Sequence, residues 1–457
     1  MKGKPLSVAL VSREYPPFFG GGIGTYARWI VPALTHAGVR VHVITEAYDK
    51  THARTEVDGL TTVHRVQMGI GRGGWTNAAS RFSINAGRKV AQLWRTGQID
   101  VAEFAECEGA GLATMMMRDP SNRIPTIVQL HTPSEQFFAL RSLSSRTLDA
   151  SLATYFQNER LAMRLADAIL APSQFIADRT HEHYGFDVAP TVIPYATGAL
   201  AAPPVPADED RGLRVIYAGR IEPRKGVESL IKAWSGVIKR HPSARLFLAG
   251  ADTSGAPDGG SMRAYLPELL DEQSRGSVKF LGRLSAEALR DQYARAHLSV
   301  IPSLWENFPN VCIESMSSAR AVLVGDAGGM REMIGTTRAG LTFASGDELE
   351  LCEKMCALLD EGAGLLAQRG QEARERIEHM CDPARVAGLR IEHFRSVIES
   401  CKERRTMNAD ALRDAWVGLE RVVEFGASEI DLPALDVGVR RWVEREGHEE
   451  HEEGISC

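Results

Sequence analysis

Cysteine is scarce and odd in number, with seven among 457 residues at positions 107, 312, 352, 356, 381, 401 and 457. A disulfide framework needs dense, even cysteines, so this spread points to a reducing cytoplasm. Cys352 and Cys356 lie four apart on an expected helix, but no second Cys or His pair stands at zinc spacing, and a packing role is favoured. An excess of positive charge is also lacking. The 53 Lys and Arg face 59 Asp and Glu, a net charge of -6, which argues against a general nucleic-acid partner. Long apolar runs are missing as well, so no helical membrane span is expected. The apolar stretch 6–11 starts like a signal peptide, but Arg13 and Glu14 break it too early. What remains is ordinary globular composition, 44% hydrophobic and 25% charged. At ~100–200 residues per domain, this length gives two or three domains.

Short apolar runs alternate with helical patterns, which predicts parallel sheets with crossover helices. In the first half strands are expected at 7–11, 40–45, 61–65, 101–104, 126–130, 168–171 and 191–193, with helices at 24–37, 83–94, 109–117, 149–165 and 174–184. The aperiodic, Pro-, Ala- and acid-rich stretch 197–212 reads as a linker. The alternation then restarts, with strands at 214–218, 245–249, 278–281, 298–301, 321–324 and 340–343. Helices are expected between them at 226–239, 286–296, 311–319 and 347–359. Two such halves enclose a cleft, and ligands bind at the carboxyl ends of the strands.

Three clusters follow expected strands. Gly20, Gly21, Gly22 and Gly24 open a helix, and Gly22 to Ala27 fits G-x-G-x-x-A, with Glu46 near the spacing of a ribose-binding acid. That pattern suits a dinucleotide. The fingerprint should follow its strand at once, whereas residues 12–19 intervene here, with Pro16 and Pro17. A phosphate or sugar meeting the loop amides is the favoured reading. The second cluster, AGRIEPRKG at 218–226, brackets a tight turn with Arg220 and Lys225, two cations suited to a diphosphate, or else solvated loop residues. In the third, PSLWENFPNVCIE at 302–314, Glu306 closes a loop and Glu314 lies about one turn into the next helix. Two carboxylates across a helix N-terminus can address two parts of one ligand while the amides between them hold an anion.

The run ENFPNVCIE resembles the E-x7-E motif of retaining glycosyltransferases, and AGRIEPRKG resembles the Arg/Lys diphosphate clamp of glycosyltransferase family 4. EYPPFFGGGIGTYA, ADAILAPSQFIAD, VKFLGRL and GDAGGMREMI are similar to that family in order and position, over about residues 5–395. The resemblance implies an α/β chain of the GT-B fold, two Rossmann-like domains with parallel sheets facing across a cleft. The expected divisions are 1–197 on the acceptor side, the linker 198–212, 213–385 on the donor side, and a helical segment with a charged tail at 386–457. The implied activity is transfer of a sugar from a UDP- or GDP-sugar with retention, using no metal and no cofactor.

By the same resemblance, Arg220 and Lys225 neutralise the leaving diphosphate, Glu306 holds donor-sugar hydroxyls and His131, in QLHTP, stands beside the sugar. Glu314 would bind the ribose. The amides of Phe308, Asn310 and Val311 would reach phosphate, with Pro309 standing where glycine is commoner. Arg283 and Leu284 lie where the family's backbone reads the base, and Gly21 and Gly22 let the N-terminal loop approach the donor. With both glutamates committed to hydroxyls, the resemblance implies same-face substitution rather than a double displacement, which wants two carboxylates about 5 Å apart.

The acceptor, whether a glycan, a lipid-linked group or a small molecule, has no legible signature; loops 69–77 and 132–145 follow no pattern. Arg72, Arg81, Arg88, Lys89 and Arg95 surround Val90, Leu93 and Trp94, a basic amphipathic face suited to peripheral contact at the inner membrane surface. An ordinary surface helix is favoured over it. The D-x-D at Asp208 and Asp210 falls in the linker and reads as solvated charge, as do the tail residues His448 to Glu453. Two other classes stay open, a nucleotide-sugar-binding protein without catalysis and a dinucleotide oxidoreductase.

Overall fold

The computed structural model describes residues 4–18, 21–48, 53–67, 78–118, 122–139, 150–186, 189–198 and 212–403. Runs such as SVALV, VAEFA and AVLVG are buried at every residue, because helices cover both faces of their sheets. The first sheet comprises β1 (Ser7–Val11), β2 (Arg40–Ala47), β3 (Thr55–Asp58), β4 (Thr61–Gln67), β5 (Val101–Ala105), β6 (Thr126–Gln129), β7 (Ala168–Ala171) and β8 (Thr191–Val192). Its spatial order is β3-β4-β2-β1-β5-β6-β7-β8, parallel except where β3 meets β4. The second comprises β9 (Arg214–Ala218), β10 (Arg245–Ala249), β11 (Val278–Gly282), β12 (Leu298–Ile301), β13 (Ala321–Gly325) and β14 (Gly340–Phe343). Its order is β11-β10-β9-β12-β13-β14, parallel throughout.

The runs expected to be strands form β1, β2 and β4–β14. Edge strand β3, the exposed and acidic TEVD, has no apolar signal to reveal it. The helix expected at 109–117 is split into a 3₁₀ turn at Cys107–Gly109 and a short helix at Leu112–Met116, with Glu108 at φ 58°. In each sheet the strand order reverses around one central strand. β1 lies between β2 and β5, and β9 lies between β10 and β12. These two switch points set the crevice in such sheets.

The chain does not end with its second domain. The helix Gly362–Cys381 packs on β13, and Asp382 then turns the chain, accepting the Arg385 amide at 2.6 Å. The terminal helix Pro383–Glu403 returns to the first domain and lies against the helix Gly22–His36. The division expected at 385/386 falls inside this helix. Val386, Ala387, Phe394 and Val397 share one apolar cluster with Val8, Ile30 and Leu34 of the first domain and Ile313 and Met316 of the second. Trp305, from the loop after β12, is buried among Phe104, Leu130 and Ile176 of the first domain. Apolar packing thus crosses the domain boundary at two places.

Candidate active site

Loops after β1, β5 and β6 face loops after β9, β11 and β12 across a cavity of about 710 Å³. Gly21, Gly22 and His131 line one side, and Arg220, Lys225, Arg283, Glu306, Phe308, Asn310, Val311 and Glu314 line the other. Leu284 is the expected site residue that does not join them. It is half-buried, and its neighbour Arg283, exposed, takes the wall instead.

The cation loop is shaped by one glycine. After β9 the chain makes a 3₁₀ turn at Pro223–Lys225, and Gly226 ends it at φ 64°. A Cβ at Gly226 would sit 1.7 Å from the Pro302 carbonyl oxygen, so only glycine lets this loop lie against the one after β12. That contact delivers Lys225 to Glu306. Oε1 of Glu306 accepts from Lys225 Nζ, from Arg224 Nη1 at 3.2 Å and from Ser303 Oγ at 3.2 Å. Burial would raise the Glu306 carboxyl, but the charges of Lys225 and Arg224 hold it below the usual range. Burial also draws the Lys225 ammonium down, opposed by Glu306. Glu306 is therefore committed to cations through Oε1, a partnership that the motif alone did not disclose. Arg220 is freer. It pairs with Glu222 at 3.2 Å, and its side chain is 57% exposed.

The helix Asn310–Ser317 starts directly after Pro309 with no side-chain cap, and its leading amides have no acceptor within the helix. They open on the cavity beside the cations. Asn310 Nδ2 donates to the Gly22 carbonyl at 3.2 Å, which docks the N-terminal glycine loop on this helix end. Glu14 Oε2 receives the Gly21 amide at 3.1 Å. Glu314, one turn in, is half-buried, and burial pushes its carboxyl up to about 7 despite Arg28 nearby.

His131 follows β6. Its Nδ1 lies 2.6 Å from the Tyr195 hydroxyl, and its buried Nε2 has no hydrogen-bond partner among the described residues. Burial and then the charge of Arg390 push the imidazole down to about 3, so the ring is neutral at physiological pH. Its amide donates to Glu106 Oε1 at 2.8 Å, and its carbonyl accepts from Asn307 Nδ2 at 2.5 Å. Glu106 lines the cavity with its carboxyl raised to about 7 by burial, and Glu159 behind it is raised to about 8 by burial and by Glu106.

The motifs assign no role to several of these residues. Asn307 ties the loop after β12 to the first domain, since it also accepts from Ser173 Oγ at 2.8 Å. Glu332 reaches across as well, accepting the Gln174 and Phe175 amides at 2.8 and 2.7 Å. A lone acid directly after an apolar strand was the available signal for Glu106, and Ser173 is readable as a helix cap. Asn307 lies in PSLWENFPNVCIE and Glu332 in GDAGGMREMI, but neither run signals a bond to the first domain.

Other readings find their place too. Glu46 pairs with Arg13 at 2.9 Å and does not line the cavity, which leaves the dinucleotide fingerprint without its acid. Val90 and Leu93 are buried in the first domain's core, so the helix Ala78–Arg95 turns much of its apolar stripe inward. Among the described residues no helix is long and apolar enough to cross a membrane, and no group of three His, Cys, Asp or Glu could hold a metal ion. Arg72, Asp208, Asp210 and His448 to Glu453 lie outside the described residues.

Two parallel α/β domains with cations, helix amides and carboxylates at facing switch points define a glycosyltransferase of the GT-B fold. Residues 20–196 match the family model described as Glycosyltransferase Family 4, and residues 212–361 match that of Glycosyl transferases group 1. The chain belongs to glycosyltransferase family 4. It is 24% identical over 398 residues to a glycogen synthase of Mycobacterium tuberculosis, covering 81% of this chain and 90% of that one. Its fold is similar to sucrose-phosphate synthase from Thermosynechococcus elongatus, with a TM-score of 0.69 and 22% identity over 86% of this chain and 100% of the other. Anabaena HepE, solved in complex with UDP and glucose, gives a TM-score of 0.63 at 18% identity, with 86% and 100% covered.

Proposed function

We propose that the protein moves a sugar from a UDP- or GDP-sugar to an acceptor hydroxyl, with retention at the anomeric carbon and without a metal. One observation carries this reading. Lys225, Arg220 and the uncapped end of the helix Asn310–Ser317 converge on one cavity, where they can meet a diphosphate with two positive charges and several amides. HepE, the structural neighbour solved with UDP and glucose, supports the donor class.

The roles follow from position. Glu314 accepts ribose hydroxyls, and Arg283 lies toward the base. Glu306, anchored by Lys225, offers its other oxygen to the donor sugar. The acceptor oxygen bonds to the anomeric carbon as the bond from that carbon to the phosphate oxygen breaks. The acceptor's proton passes to the departing phosphate on the same face, leaving a glycoside and a nucleoside diphosphate. Arg220, Lys225 and the helix amides stabilise the negative charge that grows on that phosphate. Scarce cysteine and a nucleotide-sugar donor both suit the cytoplasm.

The test is a panel of UDP- and GDP-sugars screened by thermal shift, then by release of free nucleoside diphosphate. A shift with turnover in one nucleotide series supports the proposal, and NMR of the product's anomeric proton reads the stereochemistry. Binding without any hydrolysis or transfer would instead favour a sugar-nucleotide-binding protein.

A further inference from the structure

Behind His131 lies a buried charged cluster outside every motif. Arg390, on the terminal helix, has 0% of its surface exposed, and Glu103, at the centre of β5, has 2%. Arg390 Nη1 donates to Glu103 Oε2 at 2.6 Å, and Nη2 donates to Gln129 Oε1. Two routes lead from there to the histidine. Along β6, Gln129 Nε2 donates to the Leu130 carbonyl at 2.9 Å, the peptide group that joins Leu130 to His131. Across the sheet, Glu103 Oε1 accepts the Tyr26 hydroxyl at 2.6 Å, and the guanidinium lies 5.2 Å from the Tyr26 ring centre. Tyr26 then packs edge-on to the imidazole, ring centres 4.9 Å apart, and also 4.9 Å from Tyr195, the partner of His131 Nδ1.

Stability alone does not explain this cluster. A buried ion pair is seldom better for stability than well-packed apolar residues of the same volume. Val386, Phe394 and Val397 already seat the terminal helix on the first domain. The charges sit instead where their neighbours are the imidazole's neighbours.

We propose that Arg390 is a positioning residue for His131, holding the ring in one orientation with a fixed positive charge behind it. This rests on the reading that His131 stands beside the donor sugar. A protonated imidazole there would oppose the positive charge that develops on the sugar, whereas a neutral ring can exchange a hydrogen bond without that cost. Tyr26 from the helix Gly22–His36 and Tyr195 after β8 pack against the ring, and Arg390 sets its charge behind it. Glu106 after β5 and the uncharged Asn307 from the second domain hold the His131 amide and carbonyl, and Glu103 from β5 reaches it through Tyr26 and Arg390. Tyr195 lies 2.6 Å from Nδ1 and 3.4 Å from the Leu130 carbonyl, so its proton is assigned to the shorter contact, with Nδ1 as acceptor. On that assignment the ring proton sits on Nε2, the nitrogen without a partner among the described residues.

The test uses full-length protein with isotopically labelled histidine, the His131 signal being assigned by its loss in His131→Gln. In the wild type the His131 ring should show one neutral tautomer and no titration between about pH 5 and 8. The variant is Arg390→Met with Glu103→Gln, which removes both charges together and leaves no unpaired buried ion. In it His131 should show mixed tautomers or a titration moved upward from the wild type's, with burial still holding the ring low. Turnover should fall about 100-fold, the scale of a misplaced reacting geometry. UDP affinity by calorimetry, set in the other domain, should be unchanged. Arg390→Lys, which keeps the charge but loses the fork, should keep the ring neutral and recover part of the turnover. It also serves as the second variant if the double substitution does not fold. An unaltered His131 spectrum with wild-type turnover in a folded variant overturns the proposal. An altered spectrum with unchanged turnover upholds the positioning and overturns the placement of His131 beside the sugar.

Discussion

Replacing Lys225 by methionine separates what its charge does for the fold from what it does for the reaction. The ammonium is one of two cations on Glu306 Oε1, the other being Arg224 at 3.2 Å. Removing one partner of a buried pair costs about 3–5 kcal/mol when the other ion is left alone. Arg224 and Ser303 remain here, so a loss of about 1–3 kcal/mol is expected. The sign with pH follows from Glu306. Its carboxyl lies below the usual range in the fold, so its contribution is present above that range and is lost as pH falls through the depressed value. In Lys225→Met that acid-side loss should start at higher pH. Adding Glu306→Gln removes the stranded carboxylate and should recover most of the stability. Turnover behaves differently. Charge aimed at a leaving group is worth about 10²–10³ in kcat, and the double variant cannot recover it. Urea denaturation at several pH values, beside steady-state kinetics on the same preparations, makes both measurements. If Lys225→Met is as stable as the wild type at every pH, the pairing described here does not exist in solution. If turnover returns in the double variant, Lys225 serves the fold and not the diphosphate.

Glu314→Gln should raise the donor KM roughly tenfold or more, the worth of a charge-assisted bond of about 1.5–3 kcal/mol, with a smaller change in kcat. Because burial raises this carboxyl to about 7, the wild-type donor KM should climb as pH falls below 7, and the variant should lose that limb. Activity should survive EDTA; complete loss, restored by Mg²⁺ or Mn²⁺, would place a metal at the diphosphate. Gly226→Ala should cost roughly 1–3 kcal/mol from its left-handed backbone alone, plus the clash with Pro302. Gly38→Ala, at φ 84° with open space around it, should cost only the backbone strain, and equal unfolding midpoints for the two would refute the role given to Gly226.

Much of the fold was legible because β-branched runs bounded by Gly, Pro and Asp can hardly be anything but buried parallel strands. The cleft residues were legible for a related reason: they sit directly after those strands, at the carboxyl ends where open α/β sheets bind ligands. Leu284, named with Arg283 because the resemblance sets a base-reading backbone there, does not line the cavity. Asn307, Glu332 and Arg390 were not legible. Each acts across the domain boundary on a partner more than a hundred residues away, and no local period encodes such a meeting. Glu103 was a missed sign. An acid in the middle of an otherwise apolar strand requires buried partners, and one of them, Arg390, comes from the helix Pro383–Glu403, which pattern alone could not place.

The return of the terminal helix matters for anyone who would recombine this enzyme. The stretch near residue 200, expected from its sequence to be a linker, is the obvious seam for exchanging second domains between relatives. A chimaera cut there alone would take Phe394 and Arg390 from a foreign chain and set them against this protein's Ile30 and Glu103. Two seams are needed, one in the linker and one near Asp382, so that 383–403 travels with the first domain. The first domain is thus an assembly of two separated stretches of sequence, and the second is in effect an insertion between them.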